Sequence, residues 1–261
     1  MLKQYIDKVQ NEFWKESWER FSIEELTQGL ERTDLWKIFR RYLPEKGKIL
    51  EGGCGLGHWV KFLKEKGYDT IGVERDSQTV IKGKTEVSDL PVFEGDVTSL
   101  NFPGSYFDAY LSLGVIEHFE EGPRKILEEA KRVLKPRGVF LVSVPFLSLA
   151  KRIMILKISL LKRDNLGCKE FYQYTFSKSE FRKILENYRF KVKYIKYCSI
   201  EGGIERRIRV ITKLKKSIRS SESTLLKKVS PHLHDIWDGI IKLIPGDIFA
   251  HMILAVCESE K

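Results

Sequence analysis

Residues 49–57 read ILEGGCGLG. An apolar pair runs into an acid, Glu51, and three glycines then alternate with other residues at 53, 55 and 57. Lys48 to Glu51 suits a short buried strand. Behind the glycines, His58 to Lys66 carries Val60, Phe62 and Leu63 at helical spacing and closes on Gly67. A strand that ends in a glycine-rich turn and opens a helix brings backbone N–H groups to a ligand with no Cβ in the way. In open α/β sheets that ligand lies beyond the carboxyl ends of the strands, near the switch point. The dinucleotide fingerprint G-x-G-x-x-G fits in neither frame: from Gly53 the third glycine comes one residue early, and from Gly52 the second is missing. An NAD-dependent dehydrogenase is thereby disfavoured.

Working outward, strands alternate with helices. Thr70–Glu74 reads as a second strand, Gln78–Lys84 as a weak helix, Val92–Glu94 as a third strand and Phe107–Leu113 as a fourth. Pro123–Leu134 is a helix with Leu127, Ala130 and Leu134 on one side, and Val139–Val144 a fifth strand. This alternation predicts an α/β fold, a parallel sheet with helices on both faces and right-handed crossovers. Upstream, residues 1–43 look helical, with Phe13, Trp14, Trp18 and Phe21 at roughly helical spacing. Packing in the core explains that cluster, and a lid over a ligand is the sharper alternative. Downstream, Leu147–Leu161 is apolar nearly all round, Ser179–Glu186 is a helix and Lys191–Ile200 a sixth strand. Glu205–Ser220 is an amphipathic helix, with Ile208, Ile211, Leu214 and Ile218 opposite a basic face. Met252–Cys257 is a last strand.

The pattern acid-x-G-x-G-x-G formed by Glu51, Gly53, Gly55 and Gly57 resembles motif I of the class I S-adenosylmethionine-dependent methyltransferases. The resemblance spans about residues 44–146. Glu74 stands where that family places the acid for both ribose hydroxyls. The Glu-Gly-Asp-Val of 94–97 stands where its Asp meets the adenine amino group, with the next backbone N–H near the ring. FDAYLSLGVIEHF (107–119) and ILEEAKRVLKPRGVFLVSVP (126–145) match its fourth-strand block and its following helix and fifth strand. The resemblance implies a Rossmann-like sheet of seven mostly parallel strands, with the antiparallel last strand slotted between the fifth and sixth. It implies three regions: a helical N-terminal arm or lid (1–43), a cofactor-binding core (44–146) and an acceptor-side region (147–261) with helical cap insertions at 147–178 and 205–244. It implies S-adenosyl-L-methionine as cofactor and S-adenosyl-L-homocysteine as product. The residues expected to hold the cofactor are Glu51, Gly53, Cys54, Gly55, Gly57, Glu74, Arg75, Asp96, Val97 and Leu113. Glu51 is assigned to the cofactor's amino acid moiety. Arg75 replaces the apolar residue usual beside the adenine; it either stacks there or points to solvent. His118 has the look of a general base, since His titrates near neutral pH. Glu-His is common here in this subgroup, so packing is the alternative reading.

Composition narrows the classes. Of 261 residues, 42% are hydrophobic and 11% aromatic, enough for a substantial packed domain. Cys54, Cys168, Cys198 and Cys257 lie far apart, with no CxxC pair and no Cys/His ligand spacing, so neither a zinc site nor a disulfide scaffold is expected. Met1–Gln10 holds no apolar run with a cleavage site, and no stretch reaches the roughly 18 apolar residues of a membrane span. A cytoplasmic chain is expected, with peripheral membrane contact as the extension of that reading. The net charge of +10 is uneven: residues 151–230 hold 22 Lys/Arg against 7 Asp/Glu.

The acceptor is read from what is missing. The fourth strand ends in Leu113-Gly114-Val115-Ile116, without the Asn/Asp-Pro-Pro-aromatic run of nucleobase amino-methyltransferases and without a Pro-Cys nucleophile. LGVIEHF looks like the small-molecule methyltransferases, including quinone and lipid-type enzymes. A small-molecule or lipid-related acceptor is expected, with contact to an anionic membrane through the basic half as an extension of it. The alternatives are an RNA methyltransferase using the 151–230 region and a non-catalytic protein on the same fold.

Overall fold

The computed structural model describes residues 1–7, 18–160, 169–198 and 245–261. The chain divides into two units. The first holds Met1–Pro145, Leu166–Lys196 and Leu254–Lys261; the second holds Phe146–Asn165 and Tyr197–Ile253.

The first unit is built on a seven-stranded sheet. Its strands are β2 (Lys48–Gly52), β3 (Asp69–Glu74), β4 (Val92–Glu94), β5 (Phe107–Leu113), β6 (Leu134–Pro145), β8 (Phe190–Cys198) and β9 (Met252–Ser259), in the order β4-β3-β2-β5-β6-β9-β8. The pairs β2–β3, β2–β5, β3–β4 and β5–β6 are all parallel. β9 runs against both of its neighbours. Beyond its end, the Glu260 N–H bonds the Arg189 carbonyl just before β8 begins, and before its start the His251 carbonyl accepts from Phe146 just after β6 ends. The expected slot of the last strand is the observed one.

The apolar runs of the strands explain their burial. Ile49, Leu50, Phe107, Ala109, Leu111 and Phe140 are fully buried, as strands covered on both faces require. The helices α3 (His58–Glu65), α4 (Ser77–Glu86) and α5 (Arg124–Val133) follow β2, β3 and β5. Asp76 caps α4 by accepting from Thr79 N–H at 2.9 Å. The strand order reverses between β2 and β5, so β2, β3 and β5 deliver their carboxyl ends to one switch point. After β6, α7 (Lys178–Asn187) starts on a capping box made by Ser177 and Glu180.

The N-terminal region departs from the helical expectation. Leu2–Asp7 is strand β1, antiparallel to β7 (Lys169–Thr175), in a separate two-stranded sheet. The helical reading holds for α1 (Ile23–Thr27), a short 3₁₀ turn (Leu30–Arg32) and α2 (Asp34–Tyr42). The expected helical insertion 147–178 likewise divides, with α6 (Leu149–Leu160) first and β7 after it. Side-chain pairing across this two-stranded sheet, including the Tyr5 and Phe171 rings at 6.2 Å, outweighs local propensity. Phe13, Trp14 and the insertion 205–244, including the amphipathic helix read from its sequence, lie outside the described residues.

In the second unit, α6 packs on the short helix α8 (Gly246–Phe249). Leu149, Ile153, Met154 and Leu156 are exposed along α6. Among the described residues, no helix is long and apolar enough to cross a membrane and no group of His, Cys, Asp and Glu is placed to hold a metal ion.

Candidate active site

The glycine turn leaves β2 in the left-handed region, with φ +71° at Gly53, +55° at Gly55 and +82° at Gly57. None of these positions has room for a side chain. A Cβ on Gly53 would lie 2.6 Å from Val115 Cγ2, one on Gly55 would lie 2.5 Å from Trp18 Cζ2, and one on Gly57 would lie 2.7 Å from Val92 Cγ2. Gly53 and Cys54 N–H both donate to the Val73 carbonyl, at 2.7 and 3.1 Å, which ties the turn to the end of β3. Gly57 opens α3 with no side-chain cap.

Glu74 closes β3 and is held by three backbone donors. Gly55 N–H meets Oε2 at 2.9 Å, while Arg75 and Asp76 N–H meet Oε1 at 2.8 and 3.1 Å. A carboxylate offers about four lone-pair sites, so its orientation is fixed with capacity to spare. Glu51 lies behind it, 3% exposed, and its Oε2 has no hydrogen-bond partner. Burial, and then the Glu74 carboxylate, push the Glu51 carboxyl well above its ordinary range.

The other predicted residues divide by position. Gly95 N–H bonds the Glu74 carbonyl at 2.9 Å, which brings Asp96 alongside. Asp96 Oδ1 accepts from Thr98 N–H at 2.8 Å and Thr98 Oγ at 2.7 Å, and the backbone bond holds its carboxyl below the usual value. Val97 is buried. The Arg75 side chain is exposed, the solvent-facing alternative of the two expected. The Cys54 thiol is buried in a cluster with Leu56, Val60 and Val92, so at this position the turn offers a ligand only backbone. Leu113 is half-buried at the end of β5, in register with Ser143 of β6.

His118 ends a 3₁₀ turn (Ile116–His118) after β5. Its Nδ1 lies 2.8 Å from the Tyr172 carbonyl oxygen. A carbonyl only accepts, so Nδ1 carries the proton and Nε2 keeps its lone pair. Burial lowers the imidazole below its ordinary value, so the ring is neutral near pH 7. Beside it stands a residue that sequence reasoning passed over. Glu117 is 2% exposed, its Oε2 has no partner, and burial raises it to about 8.

The arm was also only half legible. Lys82 of α4 donates to three carbonyls, Trp18 at 2.6 Å, Phe21 at 2.8 Å and Glu19 at 2.9 Å. Ile23 N–H adds a bond to Glu86 Oε2 at 2.6 Å. The indole of Trp18 is thereby held over Gly55, beside a cavity of about 190 Å³ lined by Trp18, Glu19, Asp76, Gln78, Thr79 and Lys82. Lys82→Met is expected to loosen the segment 18–21 and cost about 1–3 kcal/mol through the orphaned carbonyls. Hydrogen exchange at Trp18–Phe21 checks this; unchanged protection there would remove Lys82 as the clasp.

Residues 50–142 match the family model described as a methyltransferase domain. Among curated relatives, a probable S-adenosylmethionine-dependent methyltransferase of Mycolicibacterium smegmatis is 32% identical over 97 residues, covering 37% of each chain. The chloroplastic 2-methyl-6-phytyl-1,4-hydroquinone methyltransferase of Arabidopsis thaliana is 32% identical over 95 residues, 35% of this chain and 28% of that one. The chain thus spans well under two thirds of either relative. A solved S-adenosylmethionine-dependent methyltransferase of Methanosarcina mazei superposes with a TM-score of 0.58 at 19% identity, covering 87% of this chain and 99% of that one. It shows the fold. The ordered motifs, the sheet and the domain match together identify residues 50–142 as a methyltransferase domain of the class I S-adenosylmethionine-dependent type.

Proposed function

We propose that this chain moves the methyl group of S-adenosyl-L-methionine to an O, N or C nucleophile of a small-molecule or lipid-related acceptor. The observation that carries the cofactor half is the buried Glu51 Oε2, left without a partner behind a glycine turn that has no room for side chains. A buried carboxyl oxygen with no donor costs free energy, and an ammonium is the donor that offsets it best. The residues present fit the cofactor's polar groups. Glu74, oriented by three backbone N–H groups, takes the ribose diol. Glu51 takes the α-ammonium. Asp96 and the Val97 N–H would hold the adenine edge, and the half-buried Leu113 and the exposed Arg75 would contribute from the ends of β5 and β3. When bound, the cofactor supplies a methyl group on a positively charged sulfur, already activated for displacement. The chain's part is then alignment of the acceptor, which can supply much of the acceleration. With Nδ1 carrying the proton, His118 Nε2 would be the basic nitrogen to which an acceptor proton passes.

The acceptor class rests on the fourth-strand sequence LGVIEHF and on the absence of a nucleobase-type motif there. The hydroquinone named for the A. thaliana relative is of that class.

Calorimetry with S-adenosylhomocysteine tests the cofactor half, with micromolar affinity expected, on the order of −8 kcal/mol. Glu74→Ala is expected to weaken it roughly 10- to 100-fold through the lost charged acceptor. Glu74→Gln removes the charge but keeps one carbonyl oxygen, so it retains the backbone bonds on one side of the carboxylate only. A thermal melt of each variant separates lost affinity from collapse of the turn. Unchanged affinity in both would remove Glu74 from the site. A radiolabelled methyl-transfer screen over pooled quinols, phenols, amines and lipid extracts tests the acceptor half; label appearing only in RNA would overturn it.

A further inference from the structure

Glu117 is the buried carboxyl that the proposed chemistry leaves unused. Its Oε2 has no hydrogen-bond partner, and its Oε1 lies 4.0 Å from His118 Nε2, too far for a hydrogen bond. His118 brings no positive charge, because its ring is neutral and its Nδ1 proton points at the Tyr172 carbonyl. The elements packed on this turn are β6 and β7. Over Val139–Pro145, β6 carries no ionisable side chain; its Lys135 pairs with Asp108 at 2.9 Å. β7 brings Glu170, Tyr172 and Tyr174. The Tyr174 hydroxyl donates to the Glu120 carbonyl, and Lys3, on the paired strand β1, pairs with the Glu120 carboxylate at 3.6 Å. Among the described residues, burial alone raises Glu117, and no cation acts to lower it.

Its place in the fold points to a use. Val115, two residues earlier, packs directly on Gly53 of the glycine turn, so the segment that carries Glu117 borders the cofactor side of the switch point. A buried carboxyl with an unpaired oxygen and no counter-ion is matched by a cation that arrives from outside. We propose that Glu117 is a specificity-determining residue that supplies the counter-charge of the methylsulfonium, so that the site tells the charged cofactor from its neutral sulfide product. This rests on the methyltransferase reading above. The step is a proton release: the carboxylic acid and the sulfonium ligand give a carboxylate–sulfonium pair and one proton in solvent. After methyl transfer the sulfur is neutral, the carboxylate loses its partner and takes a proton back, and the product is held less tightly.

Calorimetric titration of the full chain at pH 7 tests this, with S-adenosylmethionine and S-adenosylhomocysteine each titrated in two buffers of different ionisation enthalpy. Both ligands carry the same ammonium and carboxylate, so protons exchanged at Glu51 appear in both and cancel. About one more proton is expected to leave with S-adenosylmethionine, and the difference vanishes well above pH 8, where Glu117 is already ionised. In Glu117→Gln the difference disappears, and S-adenosylmethionine weakens on the order of 10- to 100-fold while S-adenosylhomocysteine holds within about twofold. Glu117→Asp keeps a carboxyl and is expected to keep the proton difference. Equal proton release with both ligands, or a difference that survives in Glu117→Gln, overturns the inference. Binding of neither ligand overturns it together with the cofactor reading.

Discussion

Gly55→Val is expected to abolish S-adenosylhomocysteine binding, by about 1,000-fold or more, or roughly 4 kcal/mol. Two effects act at this residue. Its φ of +55° costs an L-residue about 1–2 kcal/mol, and a β-branched side chain pays at the upper end. The new Cβ also fills the side from which a ligand approaches the backbone, where Trp18 Cζ2 would already stand 2.5 Å away. That contact offers a rival explanation, in which Gly55 is small only so that the arm can pack. The double variant Trp18→Ala/Gly55→Val separates the two. With the indole gone the clash is relieved, so binding should return if arm packing is all that Gly55 serves. It should stay lost if the bare backbone itself meets the cofactor. The strand and helix on either side of the turn are held by apolar burial, so the fold is expected to persist, with a melting temperature lowered by a few degrees. Affinity near wild type in Gly55→Val would remove the turn from the site.

The parts of this site that were legible in the sequence are those that local pattern dictates. Ile49 and Leu50 are apolar because β2 is covered on both faces, and the alternating glycines follow because the chain turns there in the left-handed region. Glu74 stands at a strand end, where spacing from the turn finds it. The pairing of β1 with β7 was not legible, because Leu2 pairs with Thr175 and no local signal links segments so far apart in sequence. Lys82 reads as one more surface lysine on a helix; only the fold brings the carbonyls of residues 18, 19 and 21 to it. Cys54 sits among candidate contacts in sequence, yet its thiol turns into the core. Glu117 was hidden for a related reason. An acid followed by histidine after a strand resembles an exposed turn, and only the packing of β6 and β7 over it makes it a buried acid.

That burial predicts a stability profile with two opposed limbs. Glu117 has an ordinary value of 4.5 and rises to about 8 in the folded chain. The folded state therefore binds its proton more tightly than the unfolded state does. Stability from this group is complete below about pH 4.5 and is lost as pH rises through about 8. At the alkaline end the loss approaches about 4–5 kcal/mol, and Glu51, raised in the same direction by burial and by Glu74, adds to it. His58, half-buried at the start of α3 with its Nδ1 inaccessible, is lowered by that desolvation from 6.5 to about 4. Its contribution is present above pH 6.5 and is lost as pH falls through about 4. The domain is thus expected to be most stable between about pH 5 and 7 and to weaken on both sides. Glu117→Gln keeps the shape of the side chain and removes the titration. It is expected to raise the melting temperature over wild type at pH 8–9, by several degrees for each 1–2 kcal/mol regained, and to leave it nearly unchanged at pH 5. Thermal melts of both proteins from pH 4 to 9, without ligand, read this directly. A wild-type curve that is flat from pH 6 to 9, or a gain in Glu117→Gln that is the same at pH 5 and pH 9, would show that Glu117 is ionised in the folded chain. The proton release assigned to it on cofactor binding would then lose its source.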